Sequence, residues 1–280
     1  MRPSSQVLDR IAVTFDDEHA VAAAGLILPA TLSGKLGLEA AADELVGVGH
    51  RPGRKAATVV HAMLAGADCI DDVDVLRTGA TGRILGHDVV APSTVGTWLR
   101  EFTFGHVRQL DRLAETMLAR AWQAGAGPGD DPLVIDIDST ICEVHGYAKQ
   151  GASYGYTRKR GYHPMVATRS DTGEVLHARQ RKGSANTARG AQRFIRETIG
   201  RVRRAGAAGQ ITLRADSGYW SRKVIEACQA HRVRFSLTVR NTAKVLGVIA
   251  AVDEAAWVDI DYTDAGHAQL AETSLDGHRG

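Results

Sequence analysis

Apolar residues recur at three and four spacing along Leu36 to Val46, Ala56 to Leu64 and Val107 to Trp122, so the first 125 residues are predicted to be mostly helical. Pro92-Ser-Thr before Val95-Gly-Thr-Trp-Leu-Arg reads as a helix start with Ser93 or Thr94 as its cap. Together with Ile70 to Arg77, this pair is either a helix-turn-helix or ordinary helix packing, and packing is the simpler reading. Gln123-Ala-Gly-Ala-Gly-Pro-Gly-Asp-Asp-Pro is poor in core-forming residues and marks a boundary.

Beyond the boundary the period changes from that of a helix to that of a strand. Leu133-Val-Ile-Asp-Ile-Asp is predicted to be a strand buried on both faces. Pro164 to Arg169 and Glu174 to Arg179 flank Asp171-Thr-Gly as a hairpin. Thr187 to Ala205 reads as a helix, with Ala191, Phe194, Ile195, Ile199 and Val202 on one face. Ile211 to Ala215 is a short strand, Arg222 to His231 a helix and Val233 to Val239 another strand. The order is β-β-β-α-β-α-β. Tight turns permit antiparallel neighbours and helical crossovers give parallel ones, so the sheet should be mixed. Three parts are expected: a helical, DNA-binding domain over 1–125, an α/β core over 131–252 and a β-rich segment over 253–280.

Asp136 and Asp138 interrupt the first strand two residues apart, so both carboxylates project from one face. Burying ionised carboxylates costs several kcal/mol unless they are paired or bind a cation. Asp216 ends the fourth strand in Ala-Asp-Ser-Gly-Tyr. A helix cap or turn would also explain any one of these aspartates.

The net charge of +2 hides an asymmetry. Between Arg158 and Arg204 stand thirteen Lys/Arg and only Asp171, Glu174 and Glu197, an excess of ten, which leaves −8 on the remainder. Such a block suits a polyanionic partner or a solvated basic helix face. At its start, Tyr154, Tyr156, Arg158, Lys159 and Arg160 interleave rings and cations, which suits contact with single-stranded DNA ends or an exposed hairpin tip, and Arg181 and Lys182 are candidate phosphate contacts. His145, His163 and His177 lack ligand spacing and read as structural or surface residues, and Trp220 reads as core rather than as a base platform. Cys69, Cys142 and Cys228 are isolated, which argues against a zinc site or a disulfide scaffold. No run is long enough to span a bilayer, and Met1-Arg-Pro-Ser-Ser lacks a secretory apolar region, so a soluble cytoplasmic protein is expected.

Asp136-Ile-Asp-Ser-Thr-Ile-Cys-Glu-Val, Tyr154-Gly-Tyr-Thr-Arg-Lys-Arg-Gly-Tyr-His-Pro, Thr172-Gly-Glu-Val-Leu-His-Ala-Arg, Lys182-Gly-Ser-Ala-Asn-Thr and Arg214-Ala-Asp-Ser-Gly-Tyr-Trp together resemble the DDE transposases of bacterial insertion sequences, closest to the insertion sequence 1380 group. The element order likewise resembles the ribonuclease-H-like fold, in which the first and fourth strands are central neighbours. The resemblance implies an enzyme that binds terminal inverted repeats, works as an oligomer on DNA, and uses Mg²⁺ or Mn²⁺ for strand cleavage and strand transfer into target DNA, with no membrane role. It maps the first two metal-binding, catalytic carboxylates onto Asp138 and Asp216, with Asp136 a weaker ligand or a support. The family's third carboxylate, a Glu on a later helix after a β-rich insertion, has no counterpart here. Trp257-Val-Asp-Ile-Asp-Tyr and Gln269-Leu-Ala-Glu-Thr resemble the first strands of that insertion, so a truncated, inactive chain with an unpaired strand at 267–274 is expected. A non-catalytic DNA-binding fragment is the alternative. Asp136-x-Asp138-x-Thr140 also matches haloacid-dehalogenase-type phosphatases, in which the first Asp is the nucleophile; that reading requires a helix soon after the motif.

Overall fold

A computed structural model describes residues 17, 19–146, 148–155, 157–261 and 266–274. The chain forms two compact units, Met1–Arg120 and Ala121–Gly280.

The first unit is helical: α1 Ile27–Leu36, α2 Leu38–Leu45, α3 Pro52–Leu64, α4 Thr81–Ile84, α5 Pro92–Arg100 and α6 Phe104–Ala121. Leu26, Ala62, Val73, Leu76, Leu85 and Val95 make one apolar cluster, and Ala41, Ala42, Val46, Val48, Trp98 and Leu113 a second. The segment Asp71–Arg77 is a 3₁₀ helix rather than the α-helix that a helix-turn-helix uses. The start of α5 also differs from expectation. Ala91 is the cap and Pro92 the first helical residue, because proline's fixed φ and missing N–H suit that position, so neither Ser93 nor Thr94 caps it.

His61 is fully buried in this unit. Its Nδ1 lies 2.9 Å from His87 Nε2 and its Nε2 3.1 Å from Ser33 Oγ. Burial first, and then the neighbouring His87, lower its pKa below the ordinary 6.5. The unfolded chain therefore takes up a proton that the folded chain resists. The stability this histidine contributes is intact above about pH 6.5 and declines as pH falls below it. Denaturant titrations of the protein should show this decline and His61→Phe should flatten it; equal stability above and below that pH would contradict the assignment.

In the second unit the strands are β1 Leu133–Ser139, β2 Cys142–Glu143, β3 Ser153–Tyr154, β4 Arg160–Tyr162, β5 Met165–Arg169 and β6 Val175–Arg179. There follow α7 Ala191–Ala205, β7 Ile211–Ala215, α8 Arg222–Ala230, β8 Arg234–Leu237, α9 Ala243–Ala250, β9 Val258–Asp261 and β10 His267–Leu270. Five strands form one mixed sheet in the order β6-β5-β1-β7-β8. β5 runs antiparallel to β1, whereas β7 and β8 are parallel to it and follow helical crossovers. The first and fourth strands of this sheet are thus central neighbours, as expected of the ribonuclease-H-like fold.

Burial along β1 alternates: Leu133, Ile135 and Ile137 are buried, whereas Val134 and Asp136 are half-buried and Asp138 is exposed. The expectation of a strand buried on both faces was therefore too simple. One face joins the core with Ile211, Leu213, Phe194, Ile195, Ile199 and Val202, while the other carries the aspartates. β2, β4 and β3 form a separate three-stranded sheet over the Gly/Tyr/Arg-rich stretch, where strands of two or three residues are too short to show a period. β9 and β10 pair with each other as an antiparallel ribbon, so 267–270 does have a partner strand.

Candidate active site

The parallel register of β1 and β7 runs Leu133 with Ile211 through Ile137 with Ala215, a constant offset of 78 residues. Asp138 and Asp216 are the next residues after the last pair, on strands of a sheet whose neighbours are about 4.8 Å apart. Backbone geometry sets each carboxylate. Asp138 Oδ1 accepts from the Ser139 N–H at 2.7 Å. Asp216 caps the 3₁₀ turn Ser217–Tyr219, its Oδ1 accepting from the Gly218 N–H at 2.9 Å. A Cβ on Gly218 would meet Thr187 Cγ2 at 2.8 Å and Asp216 Oδ1 at 3.1 Å, so glycine is what lets this turn close on the carboxylate.

Ser139, next to Asp138, meets a buried histidine. His163, 1% exposed, faces the Ala185 carbonyl through Nδ1 at 2.8 Å and Ser139 Oγ through Nε2 at 3.0 Å. A carbonyl only accepts, so Nδ1 carries a proton and donates to it. Tyr219 is fully buried close by, its hydroxyl without a partner in hydrogen-bond geometry among the described residues. Burial pushes the Tyr219 hydroxyl above its usual pKa; Ser139 and Arg181 oppose this, and the charges of both Asp138 and Asp216 add to it. Sequence reading gave Tyr219 no role and His163 only a structural one. The signal available was Tyr219's place within Asp-Ser-Gly-Tyr.

Asp136 has a different environment. Its two oxygens accept from Arg214 Nε and Nη2 at 2.7 and 2.8 Å, and Arg214 Nη2 also donates to Ser170 Oγ at 2.6 Å. The hydrogen bonds from Arg214 hold its carboxyl below the usual carboxylate range. A carboxylate engaged on both oxygens is a poor nucleophile, and β2 rather than a helix follows the motif, so neither feature of the phosphatase reading is present.

Arg181, read as a phosphate contact, is committed within the fold. Its Nε donates to His163 O at 2.8 Å, and its Nη1 lies within 3.1 Å of the carbonyls of Asn186, Thr187 and Arg189. Much of the basic block is similarly engaged. Arg169 pairs with Asp171, Arg179 and Arg193 share Glu197, and Arg203 donates to the Ala207 and Gly209 carbonyls. On the β3–β4 hairpin, Lys159 pairs with Glu143 at 2.8 Å and Arg160 donates to Gly146 O. Tyr154, Arg158 and Lys182 are exposed; Tyr156 lies outside the described residues.

Each aspartate of the pair gives one oxygen to a backbone N–H and retains the other for a ligand, a hard-oxygen donor set that fits a divalent cation such as Mg²⁺ or Mn²⁺. Among the described residues no third His, Cys, Asp or Glu joins these two within 4.8 Å. The one group of three that close is Asp68, Cys69 and Asp72, exposed in the first unit, where Asp72 accepts from the backbone of the other two.

Residues 4–274 match the family described as Transposase DDE domain group 1. No curated protein matches the chain significantly. Among solved structures, a piggyBac transposase synaptic complex with hairpin DNA is 13% identical over 75% of this chain, with a TM-score of 0.42. A Drosophila P element transposase strand transfer complex is 8% identical over 67%, at 0.33, and the Mos1 strand transfer complex 14% over 70%, at 0.25. The chain spans 47% of the piggyBac chain, 40% of the P element chain and 63% of the Mos1 chain. By the family match across nearly its whole length, this chain belongs to the DDE transposase domain family, group 1.

Proposed function

We propose that the protein is a transposase of the insertion sequence 1380 type, which binds insertion-sequence ends as an oligomer on DNA in the bacterial nucleoid and supports metal-dependent strand cleavage and strand transfer into target DNA. The observation that supports this reading is the parallel register of β1 with β7, whose last pair, Ile137 with Ala215, immediately precedes Asp138 and Asp216. Bound Mg²⁺ or Mn²⁺ would supply Lewis-acid stabilisation of attacking and leaving oxygens. The protein's own part is to hold the two carboxylates at a fixed separation. Ser139 N–H and Gly218 N–H orient them, the His163–Ser139 contact steadies the end of β1, and the buried Tyr219 ring packs under the turn after β7. Asp136, neutralised by Arg214, supports the strand rather than binding metal. Tyr154, Arg158, Lys159 and Lys182 form the DNA-facing surface.

With no third carboxylate close to the pair among the described residues, the protein should hold the cation loosely and nick DNA weakly. The test is nicking of DNA carrying the inverted repeats that flank the coding sequence, with Mg²⁺ or Mn²⁺ added. Weak nicking that vanishes in Asp138→Asn and in Asp216→Asn is expected. Nicking that survives both substitutions would remove the assignment, and vigorous nicking would show that two carboxylates suffice. Binding without any nicking would favour a purely DNA-binding fragment.

A further inference from the structure

Four polar contacts run in series through the first unit, between two backbone carbonyls. Ser33 Oγ on α1 lies 2.9 Å from the Ala30 carbonyl and 3.1 Å from His61 Nε2. His61 Nδ1 on α3 lies 2.9 Å from His87 Nε2, and His87 Nδ1 lies 3.1 Å from the Asp88 carbonyl. Both ends only accept, so four hydrogen bonds need four protons, whereas one hydroxyl and two neutral rings supply three. With both rings neutral, one contact therefore sets two lone pairs against each other. A single further proton completes the series: His87 donates at both nitrogens, His61 donates to Ser33, and Ser33 donates to Ala30. The charge belongs on His87, which is half-buried. His61 is fully buried, and burial first, then the neighbouring His87, hold its pKa below the ordinary value, so it stays neutral.

His87 also lines a cleft of about 520 Å³, together with Arg77, Arg83, Gly82, Gly86 and Asp88. A Cβ on Gly86 would meet nothing within 4 Å and one on Gly82 only Val89 at 4.0 Å, so part of the wall is bare backbone that an anion can approach. Arg83 is exposed, and Arg77 shares its charge only with the exposed Asp74. Asp88 is the one carboxylate on the lining, and Arg54 on α3 engages it. Two guanidinium groups and an imidazolium against one paired carboxylate suit an oxyanion with more than one negative charge. We propose that this cleft binds a phosphate group through Arg77 and Arg83, and that the proton held by the His61–His87 pair switches the site on by adding a third positive charge. Both N–H groups of His87 stay within the series, so His87 contributes charge rather than a hydrogen bond. The inference is independent of the reading of Asp138 and Asp216.

Sulfate, a tetrahedral dianion whose own charge is constant near neutrality, is the probe for the proton-dependence, and inorganic phosphate the probe for the ligand. NMR of the full 280-residue protein, labelled in its histidine rings, follows both. Sulfate is expected to bind about tenfold more tightly at about pH 5.5 than at about pH 7.5, with the His87 signal responding and His61 remaining neutral. Arg83→Ala should weaken sulfate and phosphate about tenfold at either pH. His87→Gln keeps a donor and an acceptor but no charge, so it should leave weak binding that no longer varies with pH. Equal sulfate affinity at the two pH values, or a pH dependence that survives His87→Gln, would overturn the proton switch. Anion affinity unchanged in Arg83→Ala would overturn the site itself. A short DNA duplex separates the two sources of phosphate for a site that passes these tests. Displacement of inorganic phosphate by the duplex would support the site as a DNA-backbone contact, and retention of bound phosphate would support it as one for a free phosphate or phosphomonoester.

Discussion

Tyr219→Ala is expected to destabilise the Ala121–Gly280 unit by about 3–5 kcal/mol, the range for deleting a large buried aromatic ring. The ring is fully buried under the turn that carries Asp216, and its removal opens a cavity beneath both aspartates. Tyr219→Phe separates ring from hydroxyl. Among the described residues the hydroxyl has no partner in hydrogen-bond geometry, so deleting it relieves a buried polar atom and should cost less than about 1 kcal/mol. Urea unfolding of the two variants checks the division. A phenylalanine variant as unstable as the alanine one would mean that the hydroxyl, not the ring, holds the site together.

Arg181→Lys should be almost as damaging as Arg181→Ala, with a loss of about 3 kcal/mol. The guanidinium gathers the carbonyls of His163, Asn186, Thr187 and Arg189, which ties β4 and its neighbour to the loop before α7. An ammonium has no planar fork to reach carbonyls in several directions, so the conservative change does not rescue. The same substitution should leave the salt dependence of DNA binding unaltered, because this side chain neutralises no phosphate. A stable Arg181→Lys protein with a shallower salt slope would return Arg181 to the DNA surface.

These residues show where sequence reading succeeds and where it stops. The element order was legible because each long segment has one period, and the central pairing of β1 with β7 follows from that order. The buried face of α7 was legible for the same reason. What depends on a partner distant in the chain was not. Asp136 looks like a ligand until Arg214 comes across from the adjacent strand, and Arg181 looks like a surface cation until the loop folds its carbonyls around it. The three-stranded sheet was invisible because its strands are so short. Gly183 shows how tightly it nonetheless packs, since a Cβ there would lie 2.0 Å from the Gly161 carbonyl oxygen and 2.3 Å from that of Ser153. Trp220, expected in the core, is half-buried while Tyr219 is fully buried, and this turns on one 3₁₀ turn, which no periodicity reports.

Anomalous diffraction from crystals of the protein soaked in Mn²⁺ tests the shared cation site most directly. The account predicts a peak bridging the carboxylates of Asp138 and Asp216, absent in Asp138→Asn and in Asp216→Asn crystals. Side chains splayed apart with no peak between them, or manganese bound only at Asp68, Cys69 and Asp72, would contradict it.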